Sequence, residues 1–243
     1  MPPLPAIPEV PWTLFVNDVA VAAGSASPER MHALAVGRLF AEGYVERIDQ
    51  LHDLDVAEAA SGVRLLRART DAELASRATE LAAHRRANGC GLLHFVSCDP
   101  LALRVPRTGR PPGADPLREL FRALFAVASD ASEAGGLHAA ALTDGASMCF
   151  EVHDVSRHNA VDKTLGGALM AGTPPDPLGL VLTGRITGEI ALKAARAGVS
   201  WIASRSIATT LAVALAERAG LSMIGRAVSG APVLYSVQPP AES

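Results

Sequence analysis

The second half of the sequence alternates short apolar segments with longer helical patterns, and this alternation restricts the fold more than any other feature. Residues 137–143 and 147–152 are strand-like and flank Asp144-Gly145, a dipeptide typical of a tight hairpin turn. Residues 179–183 and 199–203 are short apolar strands, each followed by a helical pattern. Strands that alternate with helices run parallel and are joined by right-handed crossovers. We therefore predict an α/β fold for this half of the chain.

The first half of the sequence predicts a smaller α+β arrangement. Residues 13–23 alternate apolar and polar side chains around Asn17-Asp18, which predicts a β-hairpin. A helix is expected to open at Ser27-Pro28-Glu29, with the proline in its first turn. Strands are expected within residues 56–68, and a second helix within residues 71–86.

A stretch rich in Pro, Gly and Arg indicates where the chain divides. Residues 104–117 have the sequence RVPRTGRPPGADPL, which is typical of a linker or a domain boundary. A helix is expected to follow, over residues 117–134. The predicted parts are a proline-rich arm (1–11), an N-terminal α+β part that carries Cys90 (12–107), and an α/β domain (112–243).

Composition excludes several classes of protein. With 243 residues, of which 49% are hydrophobic and 19% charged, the chain can bury a substantial core. A net charge of −3 without a Lys/Arg tract argues against nucleic-acid binding. The start, MPPLPAIPEVPW, does not resemble a signal peptide, and apolar runs such as residues 178–182 are too short to cross a bilayer. We expect a soluble, cytoplasmic protein without membrane contact.

The cysteines offer one candidate for reactive sulfur. The three cysteines make an odd count without a disulfide framework. Cys90 has glycine on both sides, and the preceding residues 84–86 are His-Arg-Arg. Because cationic neighbours lower the pKa of a thiol, Cys90 is a candidate nucleophile or sulfur carrier. The alternative is an unreactive loop cysteine. Cys98 and Cys149 are expected to be buried as small hydrophobic residues.

A dense polar run lies at a predicted helix start. Residues 153–163 have the sequence HDVSRHNAVDK within a stretch rich in Ala, Leu, Val and Gly. A helix N-terminus offers free N–H groups and a positive dipole end, which suit an anionic ligand. The alternative is a solvated helix start in which Asp154 or Ser156 is the N-cap.

Two turns after predicted strands have related chemistry. Residues 183–189, TGRITGE, contain two glycines, two hydroxyls and an arginine, and suit a phosphate ligand. The alternative is an ordinary turn with Thr187 as the helix N-cap. Residues 204–206, SRS, repeat the arrangement with Ser206 as the expected N-cap. Because both turns and the polar run would meet at one edge of a parallel sheet, a nucleotide-like anionic ligand is favoured.

His138 lies early in a predicted strand, after two glycines, where it either lines a pocket or is a satisfied core histidine. A zinc-dependent nucleoside deaminase would need H-x-E and C-x-x-C motifs. Here Ala140 takes the place of the glutamate, and the sequence contains no C-x-x-C. We therefore expect neither zinc nor any other metal site.

At these residues the sequence resembles the formate dehydrogenase accessory sulfurtransferase family, FdhD. The similar segments are residues 135–142 (GGLHAAAL), 153–166 (HDVSRHNAVDKTLG) and 183–193 (TGRITGEIALK), with 34–43 (LAVGRLFAEG) in the first half and 204–216 in a looser form. The resemblance covers about residues 12–237.

The resemblance implies a cytidine-deaminase-like mixed sheet with flanking helices and no zinc, and a homodimer. Members of the family accept sulfane sulfur from a cysteine desulfurase as a cysteine persulfide. They deliver it to the molybdenum bis-guanine-dinucleotide cofactor of formate dehydrogenase, and Cys90 matches the persulfide position. The cofactor-binding residues that the resemblance implies are His138, Arg157, His158, Asn159, Asp162, Lys163, Gly184, Arg185, Arg226, Ala227, Val228, Ser229, Gly230 and Ala231.

The sequence departs from the family pattern at several of these positions. The C-x-x-C motif of the family is lost, because Leu93 occupies the position of the second cysteine. His153 and Ser156 replace a glutamate and a glycine, and Arg226 replaces an aromatic residue. The lost cysteine motivates an alternative: a module that binds the cofactor or a guanine nucleotide but transfers no sulfur.

Overall fold

The computed structural model describes residues 6–74, 76, 109–131 and 135–236. The strands are β1 (Val10–Val16), β2 (Val19–Ala26), β3 (Asp53–Glu58), β4 (Arg64–Arg69), β5 (His138–Thr143), β6 (Met148–Asp154), β7 (Gly179–Leu182), β8 (Trp201–Ser204), β9 (Ser222–Gly225) and β10 (Val233–Ser236). The helices are α1 (Met31–Ala41), α2 (Ala114–Ala131), α3 (Arg157–Met170), α4 (Gly188–Ala197) and α5 (Thr210–Ala219), with a 3-10 turn at Ile48–Gln50.

The N-terminal sheet has four strands in the order β2-β1-β4-β3, with β1 and β4 parallel and the outer pairs antiparallel. The predicted hairpin at Asn17-Asp18 is confirmed, with left-handed φ angles of 42° and 71° that suit a two-residue turn. Alternate β1 residues, Trp12, Leu14 and Val16, are buried and form a core with α1. The alternation in β1 therefore directs its apolar side chains to one face of the sheet, and α1 packs on that face.

The C-terminal sheet has six strands in the order β10-β9-β8-β7-β5-β6. The predicted hairpin at Asp144-Gly145 is confirmed as the β5–β6 turn, and the predicted parallel pairing of β7 with β8 is also confirmed. β9 continues the parallel run, whereas β5 is antiparallel to β7. Consequently the start of β5 and the ends of β6, β7, β8 and β9 all lie at one edge of the sheet.

Helices cover both faces of this sheet. α3, α4 and α5 contribute to one apolar cluster with residues such as Leu165, Ile190 and Leu215. α2 packs on the opposite face, where Phe121 and Leu124 contact a cluster that includes Trp201. The expected mixed α/β architecture is confirmed, while the cytidine-deaminase-like detail and the proposed division into parts stay predictions. None of the helices in the described ranges has the length and apolar character needed to span a membrane.

Several predicted helix starts are wrong. α1 begins at Met31 after Arg30, whose φ is 56°, so Pro28 precedes the helix. α2 begins at Ala114, earlier than expected. The N-cap of α5 is Thr209 and not Ser206, because the segment after β8 first pairs with the turn after β7 through an Ile186–Ala208 bridge.

α1 and α3 join the two sheets by packing in direct backbone contact. A β-carbon placed on Gly37 would stand 1.7 Å from the carbonyl oxygen of Asp162. One placed on Gly166 would stand 2.0 Å from the carbonyl oxygen of Ala33. Only glycine at these two positions allows the helices to approach so closely.

Candidate functional site

The turns that the sequence singled out meet at the edge where β5 begins and β7 ends. His138 is paired with Asp154 across β5 and β6. The hydroxyl of Thr183 accepts a hydrogen bond of 3.0 Å from the backbone N–H of Ala139 and lies 3.5 Å from Nδ1 of His138. A β-carbon on Gly184 would stand 2.9 Å from the Arg157 side chain and 3.3 Å from Nδ1 of His138. The expected convergence of these segments is therefore present in the fold.

A cavity of about 400 Å³ opens at this edge. Its lining residues are Phe125, Ala128, Ser129, Gly135, Gly136, Leu137, His138, Thr183 and Arg205. Small-molecule sites usually fall between about 300 and 1,000 Å³ and combine apolar walls with a few polar groups. The mixture of apolar side chains, hydroxyls, an imidazole and a guanidinium fits that description.

Sequence reasoning missed the wall that α2 contributes to this cavity. Phe125, Ala128 and Ser129 come from α2, to which the sequence assigned no site residue. Leu120 and Leu124 are buried and mark the core-facing side of this helix. Phe125 follows the buried Leu124 and is half-buried. An aromatic residue beside the buried face of the helix was the signal in the sequence that α2 reaches the cavity.

Arg157 is the first residue of α3 and lies beside the cavity residue His138. Its Nε atom is buried and has no hydrogen-bond partner in the described parts of the chain. Buried donors in native proteins nearly always bond to something, so this unpaired nitrogen is unusual and marks Arg157 as a candidate site residue. Burial and the Arg157 cation lower the pKa of His138, although the Asp154 carboxylate opposes them. His138 is therefore neutral at pH 7 and can both donate and accept a hydrogen bond.

His158 faces away from solvent toward the start of α4. Its Nε2 lies 3.2 Å from the hydroxyl of Thr187 and 3.6 Å from a carboxylate oxygen of Glu189. Burial, together with the cations of Lys193 and other neighbours, lowers the pKa of His158 to about 4, although Glu189 raises it. Thr187 is the N-cap of α4, as predicted, because its hydroxyl accepts a hydrogen bond of 3.4 Å from the N–H of Ile190.

Asn159 and Lys163 lie deeper than the edge and bind protein groups. Nζ of Lys163 is 2.6 Å from a carboxylate oxygen of Asp154 and donates to the carbonyl of Ser27 at 2.8 Å. The amide of Asn159 donates to the carbonyl of Ser25 at 2.7 Å. These contacts fasten the end of β2 to the start of α3, and a binding role for the two residues stays a prediction.

Asp162 is also fully buried and accepts two hydrogen bonds from Lys193, at 2.6 and 2.7 Å. Nη1 of Arg38 lies 3.3 Å from the same carboxylate and 3.1 Å from Glu42. Through Arg38, α1 thus forms ion pairs with α3 and α4. Asp162 therefore has cationic partners from both α1 and α4, and its predicted binding role is untested.

The structure confirms one of the two expected N-cap residues of the polar run. Ser156 occupies the N-cap of α3, but its hydroxyl makes no capping bond. Instead, the carboxylate of Asp154 accepts a 2.9 Å bond from the N–H of Ser156 while pairing with Lys163. Ser156 is therefore the N-cap residue as one alternative expected, whereas a solvated start is wrong, because Asp154 is buried.

Three further predicted site segments lie along the same edge. Arg185 and Arg226 are exposed in the turns after β7 and β9. The turn of Arg226, Ala227, Val228, Ser229, Gly230 and Ala231 is tied to the β8 turn, since the N–H of Arg226 donates to Ser206 at 2.7 Å. The N–H of Ala227 donates to Ser204 at 2.9 Å, and Ala227 is fully buried. The neighbouring turns are therefore held together by the backbone.

The cysteines are divided between described and undescribed residues. Cys90, Leu93 and Cys98 lie outside the described residues. Cys149 is exposed, so its predicted burial is wrong. Cys149 lies on β6, which is an edge strand of the six-stranded sheet. Within the described ranges, no three His, Cys, Asp or Glu side chains form a group that could hold a metal ion.

Comparison with known proteins gives consistent results. Residues 7–239 match the family described as FdhD/NarQ. The chain is 30% identical over 223 residues to "Sulfur carrier protein FdhD" of Listeria innocua, covering 89% of this chain and 84% of that one. It is 33% identical over 237 residues to the protein of the same name from Xanthomonas euvesicatoria, covering 94% and 82% of the two chains.

A solved structure has the same fold. It is a crystal structure described as a candidate formate dehydrogenase accessory protein from Desulfotalea psychrophila. The TM-score is 0.70 with 21% sequence identity, and the match covers 94% of this chain and 87% of that chain.

Proposed function

Because this chain belongs to the FdhD/NarQ family, we propose that it is a sulfur carrier that serves the maturation of a molybdenum-dependent formate dehydrogenase. Relatives that align over most of the chain are named sulfur carrier proteins, and the similar solved structure is described as a formate dehydrogenase accessory protein. The proposal includes a cytidine-deaminase-like fold, a homodimer, a cytoplasmic location and a cysteine desulfurase as the sulfur donor.

The observation that carries the proposal is a cavity of about 400 Å³ at one sheet edge, lined by His138 and Arg205, with Arg157 and Gly184 packed beside His138. Guanidinium groups bind phosphate oxygens through paired, planar N–H donors. The exposed guanidinium of Arg205 lines the cavity and is one such donor, and the buried Nε of Arg157 has no hydrogen-bond partner in the described parts of the chain. This chemistry fits a guanine dinucleotide with its pyrophosphate.

The molybdenum bis-guanine-dinucleotide cofactor is the proposed substrate of this site. His138, neutral at pH 7, can hydrogen-bond to it without repelling the neighbouring arginine. Gly184 leaves the space in which Arg157 approaches His138. The residues of the edge thus bind and orient the nucleotide part of the substrate.

Cys90 is the proposed sulfur carrier. Its thiolate attacks the outer sulfur of the desulfurase persulfide, a new S–S bond forms on Cys90, and the desulfurase thiolate leaves. The exchange involves no net oxidation or reduction. Transfer of the outer sulfur to the cofactor as a sulfido ligand would break the S–S bond, release the Cys90 thiolate and consume two electrons from a thiol reductant.

The experiment loads the protein with cysteine and a cysteine desulfurase and maps persulfide by mass spectrometry of peptides. We expect one added sulfur on the Cys90 peptide, none after Cys90→Ser, and normal loading after Cys149→Ser, the matched change at an exposed cysteine. Sulfur on Cys98 but not on Cys90 would contradict the assignment.

The second candidate is a module that binds the cofactor without transferring sulfur, and Leu93 in place of a second cysteine favours it. This candidate predicts that Cys90→Ser retains formate dehydrogenase activity in a complementation assay, whereas Arg157→Ala does not. The carrier hypothesis predicts that both substitutions abolish the activity.

A further inference from the structure

Arg205 and Phe125 form a pair across the mouth of the cavity. Arg205 follows β8, Phe125 belongs to α2, and both line the cavity. The guanidinium carbon of Arg205 lies over the Phe125 ring, 5.1 Å from its centroid. This distance lies within the range of a cation–π interaction.

Within the described residues, the ring of Phe125 is the partner that the structure gives the Arg205 side chain. It is exposed, and no carboxylate in the described parts of the chain forms an ion pair with it. A long exposed arginine ordinarily samples many rotamers, and binding an anion would require it to lose that freedom. The aromatic ring restricts the guanidinium before any ligand arrives.

Phe125 itself is held in place. Its ring lies 6.3 Å from the ring of Phe121 at an interplanar angle of 43°, and Phe121 is fully buried. Phe125 also packs against the apolar cluster between α2 and the sheet. The ring is therefore a fixed platform rather than a second mobile side chain.

We infer that Phe125 is a positioning residue that holds the Arg205 guanidinium where it meets a phosphate group of the guanine nucleotide. The inference rests on the proposed function, because it assumes that a nucleotide occupies this cavity. Phe125 acts through Arg205 and makes no contact with the nucleotide base.

The test is calorimetric titration of the full chain with guanosine 5′-diphosphate and, separately, with guanosine. Phe125→Leu should weaken binding of the diphosphate by about two- to fivefold, the value of an exposed cation–π contact. Phe125→Tyr, which keeps the ring, should restore most of the affinity. Guanosine, which lacks phosphate, should bind the wild-type and Phe125→Leu proteins equally.

A double-mutant cycle separates positioning from a general structural effect. In the Arg205→Gln background, Phe125→Leu should weaken diphosphate binding no further. Circular dichroism checks the fold of each variant, and Phe125→Met replaces Phe125→Leu if that protein does not fold.

Four outcomes would overturn the inference. If Phe125→Leu weakens binding equally with and without Arg205, the ring does not act through the guanidinium. Equal losses for guanosine and the diphosphate would place the ring against the base. If Phe125→Leu leaves diphosphate binding unchanged, the positioning role is wrong but the nucleotide site is not. If the wild-type protein binds no diphosphate, both the positioning role and the proposed nucleotide site are wrong.

Discussion

Gly37 of α1 and Gly166 of α3 lie directly against each other, since a β-carbon on Gly166 would stand 2.4 Å from the backbone nitrogen of Gly37. This crossing joins the N-terminal sheet to the helices of the C-terminal sheet. Asn159 and Lys163 of α3 bind carbonyls of the N-terminal part, whereas Arg157 lies beside His138 at the sheet edge.

The crossing predicts a large effect of a single methyl group. Gly37→Ala should lower the free energy of unfolding by more than about 3 kcal/mol, because backbone atoms of α3 must shift to admit the β-carbon. Urea denaturation would measure the change. Gly230→Ala, where a β-carbon would meet nothing within 4 Å, is the matched control and should change stability little. Equal stability of the two variants would show that the helices separate at little cost.

The buried ion pair between Lys163 and Asp154 predicts a second loss of stability. Lys163→Met should cost about 3–5 kcal/mol, because it leaves the Asp154 carboxylate buried without its cation. Arg122→Met removes one partner of an exposed pair with Glu119 and should cost about 0–1 kcal/mol. Chemical denaturation at pH 7 would compare the two variants. A loss at Lys163 as small as that at Arg122 would contradict the structural role proposed for this lysine.

His158 predicts how stability depends on pH. Burial first, then the cations of Lys193, Arg157 and Arg38, lower its pKa to about 4 against the opposing carboxylate of Glu189. The unfolded chain binds a proton at the ordinary value of about 6.5, so it gains a proton that the folded protein does not bind until about pH 4. Stability should therefore fall as the pH falls between these values, by up to about 3 kcal/mol from this group.

The measurement is urea denaturation at several pH values for the wild-type protein and His158→Gln. The variant should show a weaker decline in stability between pH 6.5 and pH 4, since glutamine binds no proton. Parallel pH profiles for the two proteins would show that His158 titrates normally in the folded state.

Gly184 predicts a loss of binding with little loss of stability. A β-carbon there would stand 2.9 Å from the Arg157 side chain, which can move, so Gly184→Ala should displace Arg157 from the edge. The affinity for guanosine 5′-diphosphate should fall by about tenfold, equivalent to one lost charged hydrogen bond of about 1.4 kcal/mol. Gly113→Ala, in open space at the start of α2, should bind normally in the same titration. If Gly184→Ala binds the diphosphate with unchanged affinity, Arg157 does not contribute to binding at the proposed site.

Local sequence patterns determined the hairpins and the parallel strands of this protein. Asn17-Asp18 forms the predicted two-residue turn, and Asp144-Gly145 lies in the predicted hairpin, whose turn spans the four residues 144–147. The convergence of the β7 and β8 turns followed from the same logic, since parallel neighbouring strands end at one edge. Family membership was likewise legible in the motifs.

Only the tertiary structure decided what each polar residue of the run HDVSRHNAVDK contacts. Asp154, Asn159, Asp162 and Lys163 bind protein groups, and their partners Ser25, Ser27 and Lys193 are far away along the chain. Sequence spacing places a side chain on one side of a helix but does not reveal what another element brings there.

The same reason explains the wall formed by Phe125 and the exposure of Cys149. α2 was recognisable from its amphipathic pattern, yet nothing local shows that its boundary residue reaches the cavity beside Arg205. β6 was recognisable as a strand, yet its position at the edge of the sheet depends on the order of all six strands. Patterns of neighbouring residues specify helices, strands and turns. The burial and the contacts of each side chain depend instead on how distant helices and strands pack against one another.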